Sequence, residues 1–151
     1  MTTEDNQLEC GLWDREGSCL ISLTLLETLP VYLRKTIPPE YLDIMGHMNI
    51  RWYFDMFARS GRKFFTSHGL GEEYFRDGNF GVFTLKQYIQ YFAEVRVGQT
   101  VAIHTRLIDR SDKRFHFMHF MINESTTQLA ATFEALITHA DLKIRRAAPM
   151  P

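Results

Sequence analysis

The chain has 151 residues, 45% of them hydrophobic, which is enough for one domain with a real core and too short to expect two. Acidic and basic residues nearly cancel, 18 against 17, for a net charge of -1. That balance argues against a nucleic-acid partner or a polybasic membrane anchor, so any electrostatic recognition has to be local.

Residues 1–29 read as an N-terminal extension of uncertain structure. The opening MTTEDNQLECGLWDREGS is polar and acid-rich, unlike a signal peptide, and the apolar run CLISLTLL is too short to cross a bilayer. Cys10 and Cys19 are the only cysteines. They lack metal-ligand or redox spacing, which fits a reducing, cytoplasmic setting. A strand is predicted over 31–37, stopped by Pro38 and Pro39, which cannot donate ladder hydrogen bonds.

The segment EYLDIMGHMNIRWYFDMF follows at 40–57. From Asn49 its period becomes helical: Ile50, Tyr53, Phe54, Phe57, Ala58, Gly61, Phe64 and Phe65 fall on one apolar stripe. His68 and Gly69 supply a stop, giving a helix of about nineteen residues, roughly 28 Å long. Asn49 is placed to cap it. After a Gly- and Asp-containing connection at 69–79, four strands are predicted near 81–92, 100–109, 114–122 and 128–140, the last three joined by hairpin-length turns. On the last strand Leu129, Ala131, Phe133, Ala135 and Ile137 form the apolar face. The tail from Arg145 reads as frayed. Strand, helix, then four strands is an α+β layer pair in which the helix lies across a five-stranded antiparallel sheet. Element order alone leaves cystatin-like and cone-shaped alternatives open.

The chemistry concentrates in Asp43-Ile44-Met45-Gly46-His47-Met48-Asn49. Amides entering a helix lack intrahelical acceptors and sit at the positive end of its dipole. The N–H groups from Gly46 to Ile50 are therefore candidates to polarise an acyl carbonyl. Gly46 lets a substrate approach its backbone closely. Asp43 could activate water or attack directly, although acids at helix starts are also stabilised for purely structural reasons. His47 could orient the loop, donate to the carbonyl or fill a pocket. Tyr53 reads as core packing first and pocket lining second. Lys113 and Arg114, beside Arg110, form a basic hairpin suited to phosphates or simply to solvent. His116 and His119 differ by an odd number on a strand and face opposite ways, so no metal site is expected. Gly69-Leu70-Gly71 is half a dinucleotide fingerprint and reads as a turn.

The run from Tyr41 to Asn49, with Arg51 and Tyr53 after it, resembles the D-x-x-G-H-x-N motif of hotdog-fold acyl-CoA thioesterases related to 4-hydroxybenzoyl-CoA thioesterase. It most resembles the branch of betainyl-CoA thioesterase and the thioesterase partner of carnitine dehydrogenase. Similarity continues through YFAEVRVGQTV, DKRFHFMHF and LAATFEALITHAD, covering about residues 30–141. The resemblance implies a hotdog domain over 30–144; the tail at 145–151 reads as flexible from its lack of sustained periodicity. It implies a homodimer or homotetramer with interfacial active sites, no nucleic-acid or membrane partner, and no cofactor beyond the coenzyme A thioester that is the substrate. It assigns Asp43 as base or nucleophile and Gly46, His47 and Met48 as helix-start amides, with His47 and Asn49 as polar groups. Met48, Tyr53, Lys113 and Arg114 become substrate-binding candidates. The chain departs from that pattern at Ile44, Met45, Ile50 and Gln99, which implies a greasier site. A non-catalytic acyl-CoA-binding module and a hotdog hydratase are the alternatives, although the hydratase motif D-x-N-P-x-H is absent.

Overall fold

The computed structural model describes residues 22–151; Cys10, Cys19 and the rest of the acidic opening lie outside the described residues. A short helix α1 (Leu23–Leu26) leads into strand β1 (Val31–Thr36) and a 3₁₀ turn at Pro39–Tyr41. Then come the long helix α2 (Ile50–Ser67), the one-turn helix α3 (Glu72–Phe75), and strands β2 (Phe80–Tyr91), β3 (Thr100–Arg110), β4 (Arg114–Asn123) and β5 (Gln128–Asp141). All pairings are antiparallel and the strand order is β1-β3-β4-β5-β2. The two predicted hairpins, β3 to β4 and β4 to β5, form as expected, because only short turns separate runs whose apolar alternation matches.

Helix α2 begins where its cap predicts: the Asn49 side chain accepts from the Arg51 N–H at 3.0 Å. It ends in a left-handed residue, Gly69, at φ +84°. There the Leu70 N–H reaches the Phe65 carbonyl at 2.9 Å and the Gly69 N–H reaches that of Thr66 at 3.2 Å. This is the paired closure that glycine permits at a helix C-terminus. The buried face of α2 is rotated from the expected stripe. Tyr53, Met56, Phe57, Ser60, Gly61 and Phe64 are buried, whereas Ile50 and Phe54 remain 67% and 45% exposed. The sheet curls around the buried set and leaves Ile50 and Phe54 on the open side of the helix.

The inner core joins α2 to the inward residues of the sheet, among them Ile103, Phe117, Met121, Phe133 and Ile137. A further cluster lies on the outer face, where Leu26 of α1 covers Met118, Phe120, Ile122 and Leu129. Strict alternation would put Leu129 on the same face as Ala131. A register shift instead pairs Met121 with Ala131 but Ile122 with Leu129, and one extra residue sends every side chain beyond it to the other face. The Ala130 carbonyl freed there accepts from Phe92 N–H at 2.8 Å, which anchors the loop after β2.

The tail expected to fray from Arg145 adds a strand β6 (Arg146–Ala147) antiparallel to β5. Buried His139 fastens it. Its Nδ1 donates to the Ala148 carbonyl at 2.9 Å, which leaves Nε2 to accept from the Tyr74 hydroxyl at 2.9 Å. No helix among the described residues is long and apolar enough to cross a membrane.

Candidate active site

The loop between the 3₁₀ turn and α2 is a small closed structure. Asp43 N–H donates to the His47 carbonyl at 3.0 Å, Gly46 N–H donates back to the Asp43 carbonyl at 3.1 Å, and Asn49 N–H donates to the Tyr41 carbonyl at 2.9 Å. Gly46 turns the chain at φ +86°, a conformation that a side chain disfavours. The Met48 N–H is tied across to the Val95 carbonyl at 2.7 Å. Tyr41 stacks on Trp52 with ring centres 3.9 Å apart, and the Arg51 guanidinium lies 4.5 Å from the Trp52 ring. Contacts of this kind hold the loop against the first turn of α2 before any ligand arrives.

Within that frame the Asp43 carboxylate is partly shielded. Oδ1 accepts from the Met45 N–H at 2.8 Å, and Oδ2 is 3.5 Å from Nδ1 of His47, with the Asp43 side chain 16% exposed. Of the five amides expected to be available, three are occupied: Gly46 by Asp43, Met48 by Val95 and Asn49 by Tyr41. Among the described residues the His47 and Ile50 N–H groups meet no acceptor within the chain. Spacing could not reveal this, because the competing acceptors come from the turn itself and from residue 95.

The other expected residues are distributed unevenly. Asn49 acts as the helix cap. Tyr53 is buried in the core; burial pushes its phenol up to about 12, opposed by a hydrogen bond from the Val95 backbone. Val95 thus holds the loop through its carbonyl, and sequence reasoning missed it because a contact made through the backbone has no side-chain signature. Glu94, which lies in the segment YFAEVRVGQTV that carries part of the resemblance, is engaged with Arg96 at the surface. Gln99 accepts from the Arg96 N–H at 2.8 Å and from Asn123 at 2.9 Å, bracing the same loop. Ile44 and Met45 are 104% and 70% exposed in the single chain.

Lys113 and Arg114 lie at the far end of the sheet from Asp43. Ile37, just after β1, bonds to Gln99 near the start of β3, whereas Arg110 at its other end pairs with Phe115. Ten residues of strand separate the two ends by about 33 Å. Another set of cations converges between β1 and α2, where Arg34, Lys35, Arg59, Arg62 and Lys63 border a groove of about 430 Å³. Arg34 is held by Glu124 and Arg59 by Asp55, so Lys35, Arg62 and Lys63 carry most of its free charge.

A single long helix cradled by a curled antiparallel sheet, with a carboxylate loop opening the helix, defines a hotdog-fold protein. The chain belongs to the thioesterase-like superfamily, whose family model matches residues 37–151. It is 30% identical over 111 residues, 74% of its length, to an L-carnitine dehydrogenase/betainyl-CoA thioesterase of Agrobacterium fabrum, of which it spans 22%. Against a betainyl-CoA thioesterase of Pseudomonas aeruginosa it is 27% identical over 74% of its own length and 70% of the relative's. Among solved structures it is similar to a Staphylococcus aureus protein in complex with CoA, with TM-score 0.76, 24% identity, and coverage of 82% of this chain and 78% of that one. It is also similar to a 1,4-dihydroxy-2-naphthoyl-CoA thioesterase from Synechocystis, with TM-score 0.72, 18% identity, and coverage of 81% and 90%.

Proposed function

We propose that the protein hydrolyses acyl-CoA thioesters to the free acid and coenzyme A. The observation that carries this reading is the loop at 43–50, which holds a shielded carboxylate in the same turn as the unclaimed His47 and Ile50 N–H groups. The thioester oxygen would accept from these donors, at the positive end of the α2 dipole, as negative charge develops on it. Asp43 then acts in one of two ways. As base, it takes a proton from water while the water oxygen attacks the carbonyl carbon, and the expelled thiolate recovers that proton. As nucleophile, it forms an anhydride with the acyl group, releases the thiolate, and is restored by water. Both routes consume one water and call for no cofactor.

The relatives support the reaction type and leave the acyl group open. The chain spans 22%, 24% and 28% of the bifunctional relatives, so their other activity is not carried over. The cationic groove beside β1 is our choice for the coenzyme A phosphates within one copy, and Lys113 and Arg114 remain candidates across the twofold described next, which sets the far end of one sheet against the near end of the other.

A partner copy of the chain completes the particle in this reading. Strand β2 is an edge of twelve residues carrying exposed Phe83, Leu85, Tyr88 and Tyr91, and a long apolar edge invites pairing. Antiparallel pairing of two β2 strands would make one continuous sheet with twofold symmetry.

Thiol release from a panel of acyl-CoAs of varied length and charge, by wild type and by Asp43→Asn, tests the proposal. Turnover reduced about a hundredfold or more in the variant while substrate still binds is the expected result. Equal rates in the two proteins would overturn it.

A further inference from the structure

Between α2 and the β2–β5 edge lies a cavity of about 520 Å³, a size typical of small-molecule sites. Its walls are largely aromatic, with Phe57, Phe65, Phe75, Phe117 and Phe133 contributing, and Arg62, Glu72 and Arg76 also border it. It runs along α2 from Phe54 to Thr66, about 18 Å at the helical rise. The Phe54 end lies one turn from Ile50, whose N–H is among the unclaimed donors.

One lining group does not fit an apolar wall. His119 occupies an inward position on β4 between Phe117 and Met121, is fully buried, and leaves Nε2 without a hydrogen-bond partner among the described residues. Its Nδ1 is 2.7 Å from the hydroxyl of Thr105, itself buried. That hydroxyl has a single proton, and its one partner among the described residues is Nδ1. The proton finds an acceptor only if Nδ1 is bare, so the neutral imidazole carries its own proton on Nε2. Burial keeps the ring neutral, with its pKa lowered to about 3. Nε2 faces Gly61, where a Cβ would stand 3.5 Å from it. The missing side chain at Gly61 leaves room beside this buried donor, enough for a methyl group in ordinary contact. A buried donor without a partner calls for an explanation.

We propose that this cavity receives the acyl part of the substrate and that His119 Nε2–H selects acyl groups bearing an uncharged acceptor oxygen, such as a keto, hydroxyl or ether oxygen, remote from the thioester. The inference rests on the hydrolase reading and adds the substrate class. A site built to donate one hydrogen bond discriminates against an analogue lacking the acceptor more strongly than an apolar wall discriminates between similar chains.

The test uses pairs of acyl-CoAs of equal chain length, one member carrying an oxygen and the other a methylene at successive positions, together with their non-hydrolysable thioether counterparts. Wild type, His119→Phe and Gly61→Ala are compared by kcat/KM and by calorimetric affinity. Gly61→Ala is the safer variant, since its methyl group makes an ordinary contact with Nε2 and occupies the place of the ligand oxygen. For at least one position, wild type should favour the oxygenated member about tenfold or more, and both variants should bring the ratio near one. Hydrolysis of both members at equal efficiency and affinity in all three proteins would overturn this inference and leave the hydrolase reading standing. A His119-dependent binding preference without thiol release would support the pocket and sink hydrolysis. Neither binding nor hydrolysis of any pair would overturn both.

Discussion

The amide of Met45 donates to Oδ1 of Asp43 at 2.8 Å, so the residue proposed to carry the chemistry also holds its own loop. The two roles separate by substitution. Asp43→Asn keeps an oxygen for the Met45 N–H and removes the charge, whereas Asp43→Ala removes both. We expect thiol release to fall by about a hundredfold or more in each variant. Thermal melting should show little change for Asn and a loss of about 1 kcal/mol for Ala.

Asn49→Ala removes the side chain that receives the Arg51 N–H. Loss of this cap should cost about 1 kcal/mol in urea unfolding. Because Ile50 opens the same turn, kcat should fall as well, while Asn49→Asp, which can still cap, should retain the stability.

His119 makes the protein acid-sensitive in a defined window. Its pKa is near the ordinary histidine value of 6.5 in the unfolded chain and lowered by burial to about 3 in the fold. Between those values the unfolded state binds the extra proton, so stability falls as pH drops from 6.5 toward 3 and is undiminished by this group above 6.5. At pH 5 the loss is about 2 kcal/mol from this group. Urea midpoints measured from pH 7 to pH 4 should decline less steeply for His119→Phe than for wild type.

The β2 edge should hold two copies together. Replacing Leu85 and Tyr88, 47% and 60% exposed, by glutamate places like charges against each other across the proposed twofold. Sedimentation should then show a monomer, where wild type sediments as a dimer or a multiple of it.

Deleting residues 146–151 tests the C-terminal strand. His139 is fully buried and donates to the Ala148 carbonyl, so truncation leaves its Nδ1–H without an acceptor. A loss of about 1–3 kcal/mol in urea unfolding is expected.

The sequence by itself determined the long helix, the five principal strands and the loop that opens the helix. Alternation along β4 and β5, the helical period from Asn49, and the cap and glycine stop of α2 are local patterns enforced by the geometry of neighbouring residues, so they survive translation into structure almost unchanged. The acid, glycine and asparagine of the 43–49 segment announce a helix entrance for the same reason. Only the tertiary structure decided which amides stay free, because Met48 is claimed by Val95 from a loop distant in sequence. It also decided that Leu129 crosses to the outer face at a bulge, that the tail is tied down by His139, and that Lys113 and Arg114 stand a strand's length from Asp43. His119 shows the division most clearly. Its inward phase could be read from alternation, but the unpartnered nitrogen over a missing side chain exists only because β4 and α2 meet at Gly61, and a contact between separate elements leaves no periodic trace in either.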